Sequence, residues 1–168
     1  MSNETEFLTN DVPHCMHSLV DSELADHKQI VSWSDRLIES TEQPPAWLCE
    51  LSLSKNKHHL VQILRQAMKE APLDHDPKSL ELFYIACLYR RYEDKTISWY
   101  SFLSQSSYYL FFVDSKRRTS VDNILTKYEE YGSDSRAENI TRRDFLKQHN
   151  LQTHLQRISH ILSSGNDD

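Results

Sequence analysis

The densest group of potential metal ligands in the sequence is His14-Cys15-Met16-His17. Two histidines three positions apart can share one face of a helix, and a cysteine lies between them. A metal site needs further ligands, and no second pair at similar spacing accompanies this one. The other histidines are adjacent or irregularly spaced, as in His58-His59, which is typical of solvated surface. The sequence therefore predicts no bound metal and no cofactor.

Asp74-His75-Asp76 has the residue types of a carboxylate that orients an imidazole base. The following Pro77 offers a structural explanation, because an aspartate before a proline is a common start of a helix. With two glycines in the chain, neither a Gly-x-Ser-x-Gly elbow nor a glycine-rich phosphate loop is present. Cys49 and Cys87 have apolar neighbours, which disfavour a reactive thiolate. These observations predict a protein that is not an enzyme.

The two main basic clusters, Lys116-Arg117-Arg118 and Arg142-Arg143, could in principle contact nucleic acid. They are outweighed by 25 acidic residues, a net charge of −6 and a pI near 5.8. Such a surface disfavours nucleic acid and anionic lipid and favours a basic protein partner. We therefore predict a protein partner and no nucleic acid.

The compartment is predicted from the N-terminus, the apolar runs and the cysteines. Glu4 and Glu6 stand where a secretory signal would be basic and then apolar, and no stretch of about 18 apolar residues could cross a bilayer. Three widely spaced cysteines are typical of free thiols in a reducing compartment. The sequence predicts a cytoplasmic protein that does not associate with membranes.

Apolar residues recur at helical spacing along most of the chain, and few glycines are available for hairpins. We predict an all-α, compact single-domain bundle of about six to eight helices over residues 12–162. Residues 1–11 and 163–168 are expected to be flexible ends. The eight residues Leu82–Tyr89 carry no charge, so a helix near 77–91 is expected to be buried at the centre.

An aromatic helix is expected after this central one. Ser98 can cap it, and its core-facing stripe runs from Trp99 to Val113. Its C-terminal half is aromatic on more than one side, so several neighbours or a partner must cover it. The next helix is expected to begin at Thr119 or Ser120 and to end at Gly132. A further one is expected from Thr141, with a break near Asn150.

A resemblance to a known class of proteins rests on three segments in the middle half of the chain. They are Pro45-Ala46-Trp47-Leu48, Leu88-Tyr89-Arg90-Arg91-Tyr92-Glu93 and Ile97-Ser98-Trp99-Tyr100-Ser101-Phe102-Leu103. In these segments the chain resembles small all-α immunity proteins that are encoded beside bacterial secreted toxins. The resemblance implies a cytoplasmic inhibitor that binds a toxin domain tightly and has no chemistry of its own.

The leading functional hypothesis is therefore an immunity protein that occludes the active site of a basic toxin domain. We predict that acidic and aromatic residues form its contacts, because carboxylates steer a basic partner and aromatic side chains anchor it. The predicted contact residues are Glu93, Asp94, Tyr128, Glu129, Glu130 and Tyr131. Two alternatives stay open: an adaptor or regulatory subunit, monomeric or homodimeric through the aromatic helix, and a metal-dependent or acid–base enzyme that uses dispersed His, Asp and Glu.

Overall fold

The structure is a computed structural model that describes residues 11–70 and 77–163. Over these residues the chain forms nine helices and no strand, so the all-α prediction is confirmed, with one helix more than the predicted upper number. The helices are α1 Val12–Asp21, α2 His27–Ser40, α3 Ala46–Ser52, α4 Lys57–Glu70, α5 Pro77–Glu93, α6 Trp99–Val113, α7 Ser115–Glu130, α8 Ser135–Gln148 and α9 Gln152–Ser163.

The chain divides into two compact units, which we describe separately. Unit 1 comprises residues 1–80 and 156–168, and unit 2 comprises residues 81–155. That 12–162 form a single domain stays a prediction. Asp74-His75-Asp76 lies outside the described residues, as do residues 1–10 and 164–168 of the two predicted flexible ends.

Unit 1 is built on α1, α2, α3 and α4. Helix α1 packs against α4, and α3 packs against both α2 and α4. Leu19, Leu51 and Leu60 are fully buried in this core. His27 ties α2 to the α3–α4 connection, because its Nε2 lies 3.0 Å from the carbonyl oxygen of Ser54.

Asp11, the last residue of the predicted flexible N-terminal segment, takes part in an ion pair within unit 1. Its side chain is only 3% exposed, and its two carboxylate oxygens accept hydrogen bonds from Nη1 and Nη2 of Arg157 at 2.6 and 3.2 Å. The flexibility of residues 1–11 was predicted from their polar composition and stays a prediction. The partner lies 146 positions away and gives no local signal. At the other end, Ser163 is the last residue of α9.

Unit 2 consists of α5 from Glu81 onward, followed by α6, α7, α8 and the start of α9. Helices α6 and α7 pack together, as do α7 and α8. The rings of Tyr89, Phe102 and Phe145 form the middle of the core, with centroids 5.0 to 6.4 Å apart. Tyr89 and its neighbours back to Ile85 are buried, as expected for the central helix.

The starts of α7 and α8 differ from the predicted ones. Helix α7 begins at Ser115, five residues before Ser120, because Asp114 accepts hydrogen bonds from the backbone N–H groups of Lys116 and Arg117. Helix α8 begins at Ser135, because Asp134 accepts from Ala137 N. In both cases an aspartate cap came earlier than the expected Ser or Thr. The break near Asn150 is present, between α8 and α9.

Candidate protein interface

One end of unit 2 carries most of the predicted contact residues. The α5–α6 and α7–α8 connections meet at this end, because the Tyr92 hydroxyl donates a hydrogen bond to Glu138 near the start of α8. The Tyr92 ring also packs on Trp99, with centroids 5.1 Å apart. We call residues 93–95 and 129–138 the acidic edge. Two segments that are more than 30 positions apart in the sequence thus form one surface.

Both connections begin with a left-handed residue that ends the preceding helix. Lys95 has φ 59° and Gly132 has φ 91°. Beyond Lys95, Thr96 N donates to Arg91 O at 2.9 Å, and beyond Gly132, Ser133 N donates to Tyr128 O at 3.1 Å. This is the Schellman ending of a helix, which fixes the path of the chain as it leaves. The acidic edge is therefore held by backbone hydrogen bonds at both of its segments.

Five of the six predicted contact residues are exposed on this edge. They are Glu93, Asp94, Glu129, Glu130 and Tyr131, the last with 49% of its surface exposed. Asp94 is paired with Arg90 at 3.1 Å, within the same turn. Tyr128 differs, because it is 7% exposed and its hydroxyl donates to Ser133 O at 3.0 Å. Tyr128 therefore stabilises the α7–α8 connection and is not exposed for contact with a partner.

The charge of this edge differs from the charge of the unit around it. The acidic edge contains six carboxylates and two cations, Lys95 and Arg136. Unit 2 as a whole has 11 Lys and Arg against 10 Asp and Glu. The excess of acidic residues in the chain therefore belongs to unit 1, which has 15 Asp and Glu against 8 Lys and Arg. Net charge alone did not locate the acidic surface of unit 2.

The tyrosines below the edge are held in their neutral form. Burial and the hydrogen bond to Glu138 raise the pKa of Tyr92 to about 12. Burial, together with the nearby Glu93, raises the pKa of Tyr89. Burial and the carboxylates of Glu138 and Asp134 raise the pKa of Tyr128. The hydroxyls of Tyr92 and Tyr128 stay protonated at neutral pH and donate hydrogen bonds to Glu138 and to Ser133 O.

A second surface lies on α6. Tyr100, Tyr108, Phe111 and Phe112 are 50%, 71%, 57% and 67% exposed, and we call them the aromatic face. Tyr109 is the covered member of the run, because it stacks on Tyr84 of α5 with ring centroids 4.0 Å apart. The sequence predicted that the aromatic run needs several neighbours or a partner. Within the structure the neighbours cover only part of it.

The first basic cluster, Lys116-Arg117-Arg118, is largely engaged inside unit 2. Arg117 pairs with Glu81 at 3.1 Å and with Asp114 at 3.5 Å. Arg118 lies 3.3 Å from Asp122 and places its guanidinium 4.6 Å from the centroid of the Phe111 ring. Among the described residues no salt bridge involves Lys116, which is exposed. This cluster therefore offers little free positive charge.

The histidine cluster at the N-terminus is built into the core of unit 1. Cys15 is fully buried, and burial raises the pKa of its thiol to about 12, which disfavours the thiolate that binds metals. Burial also lowers the pKa values of His14 and His17. Among the described residues, no group of three or more His, Cys, Asp or Glu side chains is arranged to hold a metal ion.

No helix in the described parts of the chain is both long and apolar enough to span a bilayer. The chain matches no protein-family model, and no curated protein or solved structure is significantly similar to it.

Proposed function

We propose that the chain is a cytoplasmic protein-binding inhibitor, an immunity protein that neutralises a toxin by covering its active site. The observation that carries the proposal is the acidic edge, where two connections present exposed carboxylates beside Tyr131. An inhibitor of this kind contributes shape and charge and needs no catalytic group of its own. Its affinity comes from a rigid surface, because little conformational entropy is lost when a preformed surface binds.

The edge favours a basic partner. Six carboxylates against two cations create a local negative potential, although unit 2 as a whole is close to neutral. Such a local field speeds the encounter with a positively charged surface and orients it. Tyr131 supplies an aromatic side chain of the type that often dominates binding energy. A toxin domain with a basic active-site cleft, such as one that acts on nucleic acid or another polyanion, fits this surface.

Hydrogen bonds of Tyr92 and Trp99, beneath the acidic edge, also support the proposal. Tyr92 joins α5 to α8 through Glu138, and the Trp99 indole N–H donates to Thr141 of α8 at 2.9 Å. These bonds connect the helices that carry the two halves of the edge. The relative position of Glu93 and Glu138 is therefore set before a partner arrives.

The test is co-expression with the toxin-like product of the adjacent gene, followed by calorimetric titration of the purified partners. We expect a stable one-to-one complex and protection of the host from the toxin. The double variant Glu129→Lys/Glu130→Lys should weaken binding by roughly 100-fold, since two charges on the edge change sign. Tyr131→Ala should weaken it by at least about 10-fold.

The matched control is Glu39→Lys/Glu50→Lys, which reverses two exposed carboxylates of unit 1. It produces the same change in net charge, so its binding should stay within about threefold of the unmodified protein. Equal losses for the two double variants would show that only net charge matters and would remove the acidic edge from the proposal. If the protein forms no stable complex with the product of the neighbouring gene or with any host protein, the proposed function is refuted.

A further inference from the structure

An unusual stretch of the sequence forms the most exposed apolar surface of unit 2. Residues 96–113 contain no charged side chain over 18 positions, in a chain in which 26% of residues are charged. Most of this stretch is α6, whose inner side is fully buried at Phe102, Leu103 and Ser106. Its outer side is exposed but equally uncharged. Charge depletion combined with exposed aromatic residues is the compositional mark of the centre of an interface.

The outer side of α6 is different in its two halves. Tyr100, Ser104, Tyr108 and Phe111 follow one another at spacings of four, four and three, so they lie along one face of the helix. Between Tyr100 and Tyr108 this side of the helix carries small side chains, at Ser101 and Ser104. The C-terminal half carries the large, exposed side chains of Tyr108, Phe111 and Phe112. The two serines thus form a recess, and the three aromatic residues form a ridge.

We propose that this face binds a second copy of the chain, with the two α6 helices antiparallel. A two-fold axis between Ser104 and Tyr108 places the ridge of each copy over the recess of the other. Tyr108 of one copy then lies opposite Ser104 of its partner. The same contact forms twice, so the interface is closed and the assembly stops at a dimer.

The charges at the ends of α6 agree with this pairing. Helix α6 begins beside the acidic edge and ends just before Lys116, which is exposed and takes part in no salt bridge among the described residues. Antiparallel pairing brings Lys116 of each copy toward the negatively charged end of the other. Parallel pairing would bring the two acidic edges together. The antiparallel helix macrodipoles also oppose each other favourably.

The first test is sedimentation velocity of the full chain from about 1 to 300 µM, a range that brackets ordinary dimer affinities. We expect a species of about twice the 19.8 kDa chain mass that dissociates on dilution. Phe112→Glu places a charge on the ridge and should raise the dissociation constant by roughly 30-fold or more. A protein that stays at 19.8 kDa at every concentration would overturn the proposal.

A second variant distinguishes the proposed pairing from contact between the two ridges alone. Ser104→Trp fills the recess and adds apolar surface, so it should also break the proposed dimer. It would strengthen or leave unchanged any dimer that does not use the recess, and that result would overturn the antiparallel arrangement. The control is Leu53→Glu, at a residue of unit 1 that is 77% exposed, which should leave the dissociation constant unchanged.

Folding and membrane binding are checked in the same samples. The substituted residues of α6 are exposed or half-buried, so far-ultraviolet circular dichroism should show unchanged helix content. Co-sedimentation with vesicles of phosphatidylcholine and phosphatidylglycerol should leave the protein in the supernatant. If the protein stays monomeric and pellets with vesicles, and Phe112→Glu abolishes the pelleting, the face binds a membrane and not a second copy. The dimer does not rest on the proposed toxin, since no toxin is present in these measurements.

Discussion

The indole N–H of Trp99 donates a hydrogen bond of 2.9 Å to the hydroxyl oxygen of Thr141, with both residues almost fully buried. The same hydroxyl donates to the carbonyl oxygen of Ala137 at 2.7 Å. Thr141 therefore acts as acceptor and donor at once, and it joins the first turn of α6 to α8. This pair lies directly beneath the acidic edge.

Replacing Thr141 by valine keeps the shape of the side chain and removes its hydroxyl. The indole N–H of Trp99 is then buried without a partner, and we expect a loss of about 1–3 kcal/mol in the free energy of unfolding. Thr141→Ser keeps the hydroxyl, so its free energy of unfolding should fall by less, through the loss of one methyl group. Urea unfolding followed by circular dichroism measures both. Equal losses for the two variants would contradict a role for the hydrogen bond.

The ion pair between Asp11 and Arg157 fixes the start of α1 to α9 within unit 1. Asp11→Ala leaves the guanidinium without its carboxylate, and we expect unfolding to become easier by roughly 2 kcal/mol. The loss is moderated because the Arg157 side chain is 30% exposed. The double variant Asp11→Leu/Arg157→Met should recover much of it, since a buried pair can be replaced by apolar groups. A double variant as unstable as Asp11→Ala would contradict this account.

Lys95 adopts a left-handed conformation that glycine adopts without strain. We expect Lys95→Gly to raise the free energy of unfolding by about 0.5–1 kcal/mol, as strain is removed at the end of α5. Gly132→Ala is the reverse experiment at the end of α7. A Cβ there would meet nothing within 4 Å, so its expected cost of about 1 kcal/mol arises from φ alone. Urea midpoints of the two variants should move in opposite directions.

His149 makes the stability of unit 2 depend on pH. It is 7% exposed and packs on Phe145 with ring centroids 4.6 Å apart; its pKa is lowered, chiefly by burial and further by Arg117. A lowered folded pKa means that the unfolded chain takes up the proton first. Stability is therefore full above the unfolded pKa of about 6.5 and is lost as the pH falls through the lower folded value.

His149→Gln removes this titration and should flatten the fall of the urea midpoint between pH 7 and 5. Because the half-buried His14 and His17 also have lowered pKa values, part of the acid dependence should remain. His58→Gln, at an exposed histidine of unit 1, is the control for replacing an imidazole, and it should leave the urea midpoint at pH 7 unchanged. An unchanged profile in His149→Gln would contradict the assignment.

The sequence by itself determined the helices and several of their ends, because these depend on residues close together in the chain. Pro77 marked the start of α5, and Ser98 capped α6. The missed starts of α7 and α8 also have local causes, since Asp114 and Asp134 are visible caps. The burial of α5 followed from its uncharged run Leu82–Tyr89, because a helix that is apolar on all sides has to be covered.

The tertiary structure decided which of these residues face solvent and which lie together. Tyr128 and Tyr131 look alike in the sequence, yet the first is buried on α7 and the second is exposed. Asp11 pairs with an arginine 146 positions away, and the acidic edge is assembled by Tyr92 and Glu138, 46 positions apart. Such contacts depend on how helices pack in three dimensions, which periodicity within one helix does not specify.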